Sequence, residues 1–249
     1  MLGFWQEVLS LFLSRSCALC QRSAPKALCS SCQAQVQSAA LPLDRCHQEW
    51  NQDLPLFAWG HYNDSLKRAI AALKYEQQTQ LALPLGRWLA EAWQQTRPQR
   101  STPPQGLTVV PIPLHAHKLK QRGFNQATLL AQVFCRYTGL ALMDGGILRV
   151  KETEAQFGLS KSARLENVTA AFQVSPALLR CCVSPQNPRC KPIHILLLDD
   201  IFTTGATAQA AQKVLQQAQI PVYGMVALAR AGKGSTADSR SPSLVKPAL

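Results

Sequence analysis

The chain has 249 residues, 47% of them hydrophobic, with a formal net charge of +12 at neutral pH. This length holds one large domain or a domain plus a small module; the composition, with a mean hydropathy of −0.06, fits a globular chain and argues against a membrane protein. The basic balance favours anionic partners, whether phosphorylated metabolites or nucleic acid, or else a solvated basic surface, and the dense Lys/Arg runs of a dedicated nucleic-acid arm are missing.

The opening segment "MLGFWQEVLSLFLS" is too short to span a bilayer. It carries Glu7 and lacks both the basic start and the small-residue cleavage site of a secretory signal. An amphipathic helix packed on a cytoplasmic protein, with no membrane insertion, is expected there. Next comes Cys17-x-x-Cys20, an eight-residue gap, then Cys29-x-x-Cys32. Two knuckle-like pairs supply four thiolates, which suits tetrahedral Zn²⁺, and a site with no open position is structural. Four buried free thiols are the competing reading. Without a secretion signal a disulfide framework is disfavoured, and neither pair opens a helix after a strand as a thioredoxin-like site requires. Cys46 is a lone extra whose part in metal binding stays open. Residues 1–35 thus form an amphipathic lead plus a four-cysteine module.

Residues 36–105 read as a connecting, hood-like helical region. Ser38 to Asp53 is a connector broken around Pro42. "LFAWGHYNDSLKRAIAALKYE" starts like a strand and becomes a helix with Leu66, Ile70 and Leu73 on one face. "LALPLGRWLAEAWQQT" is a second helix, ending in the Pro-rich loop "RPQRSTPPQG".

Residues 106–231 carry the core. "LTVVPIP" is a continuous apolar run, as expected of a strand covered on both faces. "NQATLLAQVFCRYTG" is a helix with a terminal glycine stop, "HILLLDD" a second strand, "ATAQAAQKVLQQAQ" a second helix and "PVYGMVALAR" a third strand. Strand, helix, strand, helix, strand predicts an α/β fold with a parallel sheet flanked by helices. "RCCVSPQNPRCKP" is expected to be a loop carrying Cys181, Cys182 and Cys190, with Cys135 a core thiol and residues 232–249 a disordered tail.

The stretch "ILLLDDIFTTGATAQ" holds the most chemistry. Ligands of parallel α/β sheets bind beyond the carboxyl ends of strands, where Asp199 and Asp200 fall. Thr203, Thr204, Gly205, Ala206 and Thr207 then lead into a helix whose first N–H groups attract an anion. Glycine permits close backbone approach, and the threonine hydroxyls add donors. Paired carboxylates accept hydrogen bonds from a vicinal diol, so diol plus phosphate points to a ribose 5-phosphate. Ordinary helix capping beside solvated acids is the plain alternative. A Walker B reading fails for want of the G-x-x-x-x-G-K-[ST] loop, and no G-x-G-x-x-G fingerprint exists.

"ILLLDDIFTTGAT" resembles the signature of type I phosphoribosyltransferases. "VVPIPLHAHKLKQRGFNQATLLA" and "QFGLSKSARLENVTAAF" resemble segments of the ComF/GntX family, which pairs a phosphoribosyltransferase-like domain with an N-terminal cysteine module. The resemblance runs from about Cys17 to Arg230. It implies that Asp199 and Asp200 hold the ribose hydroxyls of phosphoribosyl pyrophosphate (PRPP), while Thr203, Thr204, Gly205, Ala206 and Thr207 wrap its 5-phosphate. Mg²⁺ would ride on the pyrophosphate and ribose oxygens. Arg122, after the "VVPIP" strand, is the candidate pyrophosphate contact, or a solvent-facing basic turn. Gly123 allows close backbone approach, and Asn125 caps the next helix. Lys161 and Arg164 are candidates for a mobile loop that closes over the ligand, though helical surface charges look the same. Lys74 and Tyr75 in "ALKYE" match a family segment but carry no assigned role. His115 and His117 read as loop surface. The family name implies a link to DNA uptake. An active transferase and a non-catalytic PRPP sensor, or a binder of single-stranded DNA or competence proteins, both stay open, as does a homodimer.

Overall fold

The structure is a computed structural model that describes residues 16–51, 54–96, 104–151, 171–182 and 193–232. The expected N-terminal amphipathic helix, most of the loop after Cys182 and the tail lie outside the described residues, as do Lys161 and Arg164.

In chain order the elements are α1 (Ser30–Gln37), β1 (His47–Asn51), β2 (Leu54–His61), α2 (Asp64–Tyr75), α3 (Ala82–Thr96), β3 (Leu107–Pro111), α4 (Ala116–Arg122), α5 (Gln126–Thr138), β4 (Ala141–Leu142), β5 (Ile147–Arg149), β6 (Phe172–Val174), α6 (Pro176–Cys182), β7 (His194–Phe202), α7 (Ala206–Gln217) and β8 (Val222–Arg230). Six strands form one sheet in the order β1-β2-β8-β7-β3-β4, and β5 pairs with β6 as a separate hairpin. Within the sheet, β2 through β4 run parallel and only edge strand β1 is antiparallel. The α/β class and the three predicted core strands are as expected.

The side-chain period of two divides β7 between two cores. Leu196 and Leu198 pack with Val226, Leu228 and residues of α3 and α5 on one face. Ile195 and Leu197 pack with Met225, Ala227 and Ala208, Ala211 and Leu215 of α7 on the other. A strand covered on both sides has no polar face to show, hence the unbroken apolar run. On the first face Phe57 and Trp93 meet edge to face at 5.2 Å, and Trp59 stacks on Trp88 at 5.6 Å. There α3 and α5 come close because Gly86 has no side chain: a Cβ would stand 2.7 Å from the Cβ of Val133.

Three local differences from the predicted elements have physical reasons. The expected connector contains β1, a polar strand that exists because it adds to the edge of apolar β2. Arg180 and Cys181, expected in a loop, lie in the last turn of α6, which starts on a proline already set for a helix. Arg122, also expected in a loop, is the last residue of α4, which Gly123 closes in the left-handed conformation at φ 82°.

Candidate functional site

The carboxyl ends of β3, β7 and β8 lie side by side, and α2 and α5 reach the same edge. Asn125 ties α5 to that edge. Its Oδ1 accepts from the Ala127 N–H at 3.0 Å, capping the helix, while its Nδ2 donates to the Ile112 carbonyl just past β3 at 2.9 Å. The next residue, Gln126, is thereby aimed at β7, where its Nε2 donates to Asp200 Oδ1 at 2.9 Å.

Asp200 is only 2% exposed. Its Oδ2 pairs with the Lys74 ammonium at the C-terminal end of α2 and takes no other hydrogen bond among the described residues. Arg122 Nη1 donates to Gln126 Oε1, and its guanidinium lies 5.2 Å over the ring of Tyr75. Lys74 therefore reaches Asp200 directly, and Arg122 reaches it through Gln126. Of these, Arg122 was expected at a phosphorylated ligand. Lys74 had no role from the sequence, and Gln126 was missed.

Strand alternation sends Asp199 to the α7 side of the sheet and Asp200 to the α5 side. Near the strand end the Asp199 carboxyl turns back, and its Oδ1 accepts from the Asp200 N–H at 2.8 Å. Burial, and then the neighbouring Asp200 charge, raises the Asp199 carboxyl well above the ordinary range; the Asp200 N–H and the Lys74 charge oppose this. The pair is thus unequal, with Asp199 biased toward its protonated form and Asp200 held by a cation.

Five residues beyond Asp200, Gly205 sits at φ 78° as the N-cap of α7. Thr203 and Thr204 are exposed, Ala206 and Thr207 partly buried, and Thr204 Oγ1 lies 3.4 Å from the Ala206 N–H it accepts from. The N-cap glycine has no side chain to offer, so apart from that of Ala206 the first-turn N–H groups remain available to an anion. Gly123 is exposed, and nothing stands within 4 Å of where its Cβ would be. His115 caps α4, accepting from the His117 N–H at 3.4 Å.

The second chemical cluster is the cysteine module. The Sγ atoms of Cys17, Cys20, Cys29 and Cys32 all lie within 4.8 Å of one another, with Cys20 and Cys29 3.6 Å apart. Four sulfurs bound about 2.3 Å from a tetrahedral zinc stand about 3.8 Å apart, so the cage fits that ion. The first pair is folded by Cys17 N–H to Arg22 carbonyl and Gln21 N–H to Cys17 carbonyl bonds of 2.8 and 2.9 Å. The second pair starts α1, with Cys29 as its N-cap. Burial acts to raise the Cys17 thiol, yet backbone N–H groups of Cys29, Leu19 and Cys20 bring it down to about 6. Cys32, buried among the other thiols, is pushed up to about 12. Cys46 stands apart: its Sγ faces the Leu41 and Pro42 carbonyls at 3.8 and 3.5 Å, and burial pushes its thiol up to about 11. The module is joined to α2, where Arg68 Nη2 donates to the Leu19 carbonyl. Among the described residues no helix is long and apolar enough to cross a membrane.

No protein-family model matches the chain. The chain is 30% identical over 207 residues to the DNA utilization protein YhgH of Salmonella typhimurium, covering 80% of this chain and 84% of that protein. It is 28% identical over 217 residues to competence protein F of Haemophilus influenzae, covering 86% and 90%. Among solved structures, adenine phosphoribosyltransferase from Leishmania tarentolae matches at 10% identity over 74% of this chain and 94% of that one, with a TM-score of 0.39. The class is an α/β protein with a mostly parallel sheet flanked by helices, bearing a four-cysteine cluster that can hold zinc. Within that class the chain belongs to the ComF/GntX family, together with the YhgH and competence F proteins.

Proposed function

We propose that the chain binds PRPP with Mg²⁺ at the carboxyl edge of the sheet, in a role linked to DNA uptake or nucleotide metabolism. The observation that carries this reading is the buried Asp200. A carboxylate is placed at a strand end, clamped by a lysine and a glutamine, five residues upstream of the left-handed glycine that caps a helix. Burying a charge is costly unless a function or partner retains it. In this reading Asp199 and Asp200 meet the ribose hydroxyls, and Asp199's bias toward protonation gives the pair a donor as well as acceptors. The α7 N–H groups and the hydroxyls of Thr203, Thr204 and Thr207 take the 5-phosphate, with Gly205 and Ala206 presenting backbone. Arg122 and Gly123 face the pyrophosphate, and Lys161 and Arg164 belong to a closing loop. Mg²⁺ would supply neutralisation of the departing pyrophosphate, held mainly by ligand and water oxygens. In the cysteine module Zn²⁺ is structural, with no open position.

Calorimetric titration of PRPP with Mg²⁺ tests the reading. The intact chain binds, and Asp199→Asn/Asp200→Asn loses at least tenfold in affinity; equal binding by both chains rejects it. Pyrophosphate release with an acceptor separates a transferase from a sensor. The names of the relatives and the charge of +12 favour a second reading, a surface for single-stranded DNA. It requires salt-dependent oligonucleotide binding that survives Asp200→Asn.

A further inference from the structure

A diol cannot reach Asp200 as it stands: the side chain is 3% exposed, closed in by Gln126 on Oδ1 and Lys74 on Oδ2. A sugar hydroxyl must displace one of them, and they are not equally movable. Gln126 is 5% exposed, lies in the first turn of α5, and has its own oxygen held by Arg122. Lys74 is held by Asp200, its side chain is 16% exposed, and it stands in the last turn of a helix on a flexible four-carbon stem. The lysine yields.

Its release leaves a charge problem. Among the described residues the ion pairs are Lys74–Asp200 and Arg87–Glu91, so Arg122 has no carboxylate of its own. Once Asp200 turns to a ligand, Lys74 joins Arg122 as a second uncompensated cation beside Tyr75, and a partly buried ammonium needs an anion. A sugar carrying a phosphate only at the far end does not supply it. A sugar with a second phosphorylated group, toward the lysine, does.

We infer that Lys74 is an exchangeable counter-ion: it neutralises Asp200 in the empty site and passes to the ligand's pyrophosphate when the diol takes its place. This rests on the reading of the site as one for a phosphorylated ribose. It adds that Lys74 sets the preference for PRPP over ribose 5-phosphate, with Arg122 as its fixed companion.

The test compares PRPP·Mg²⁺ and ribose 5-phosphate by calorimetry, at fixed ionic strength, on the intact chain, Lys74→Gln, Lys74→Arg and Asp200→Asn. The glutamine keeps a donor for Asp200 but removes the charge. The expected result is a tenfold or greater loss of PRPP affinity in Lys74→Gln, ribose 5-phosphate within threefold of the intact chain, and partial recovery of PRPP binding in Lys74→Arg. Equal losses for both ligands would make Lys74 a scaffold, and unchanged PRPP affinity would make it a bystander; either overturns the inference. Should Lys74→Gln not fold, ¹⁵N-lysine NMR of the intact chain decides. With Lys74→Arg for assignment, the Lys74 Nζ signal must move with PRPP or Mg-pyrophosphate, and an unmoved signal refutes the exchange. If the intact chain binds neither sugar, the functional reading falls and this falls with it. If Asp200→Asn abolishes PRPP binding while Lys74→Gln leaves the preference intact, only the counter-ion role is lost.

Discussion

Lys74→Met should destabilise the protein more than Asp200→Asn, although both break the same ion pair. The side chains are 16% and 3% exposed, so the small values typical of surface pairs do not apply. Removing one member of a buried pair costs about 3–5 kcal/mol because a charge is left without its partner. In Lys74→Met the stranded group is Asp200, which has no route to water. Gln126 still donates to Oδ1, and a hydrogen bond to a charged group contributes about 1.5–3 kcal/mol. That holds the loss to the low end, about 3 kcal/mol. In Asp200→Asn the stranded group is the ammonium, which can turn its long stem outward, and the loss is about 1–2 kcal/mol. The double variant leaves no unpaired charge and should match Asp200→Asn. At about 2–4 °C per kcal/mol for a chain of this size, Lys74→Met lowers Tm by about 6–12 °C. Urea unfolding followed by circular dichroism and by fluorescence measures all three variants, and coincident transitions license the comparison. Equal losses in the two single variants, or a larger loss in Asp200→Asn, would show that asymmetric access to water is not what sets the cost.

Asp199 makes a prediction of opposite sign. Its folded-state pKa is raised by burial and by Asp200, while the unfolded chain returns it to about 3.9. As pH rises above that value the unfolded state gives up its proton first, so this group lowers stability progressively toward neutral pH. Asp199→Asn should therefore melt above the intact chain at pH 7, with the gap closing toward pH 4; a lower melting point at pH 7 contradicts the assignment. For the metal, blocking the thiols with an organomercurial at neutral pH should release zinc to a colorimetric indicator, with loss of the module's structure. Cys29→Ser should carry less zinc, whereas Cys46→Ser, outside the cage, should carry as much as the intact chain.

What the sequence disclosed depended on whether one segment carried its own signal. β3, β7 and β8 are buried on both faces, so their composition alone marks them, and α5 and α7 show helical spacing with a glycine at one end. The hairpin of β5 and β6 has three residues a side, too few for a period to register. β1 is polar, and nothing in "HQEWN" announces that an edge will accept it. The cysteine spacing was legible because both pairs are local, but the exclusion of Cys46 required seeing where its sulfur points.

Lys74 and Gln126 are the instructive omissions, because each left a mark that amphipathic reading discards. Leu66 and Ile70 are buried on α2 at i, i+4 spacing, and Lys74 is the next position on that row. Gln126 stands at the head of the stripe formed by Ala127, Leu130, Ala131 and Phe134 on α5. A polar side chain in register with an apolar stripe is carried into the interior by its neighbours, and once there it must find a partner or cost the fold more than its hydrogen bond is worth. Two such residues, on two helices flanking a strand that ends in acids, limit the candidate partners to those acids. The inference was available from spacing alone, provided that the charged member of a stripe is read as evidence of a destination rather than as the end of the helix face.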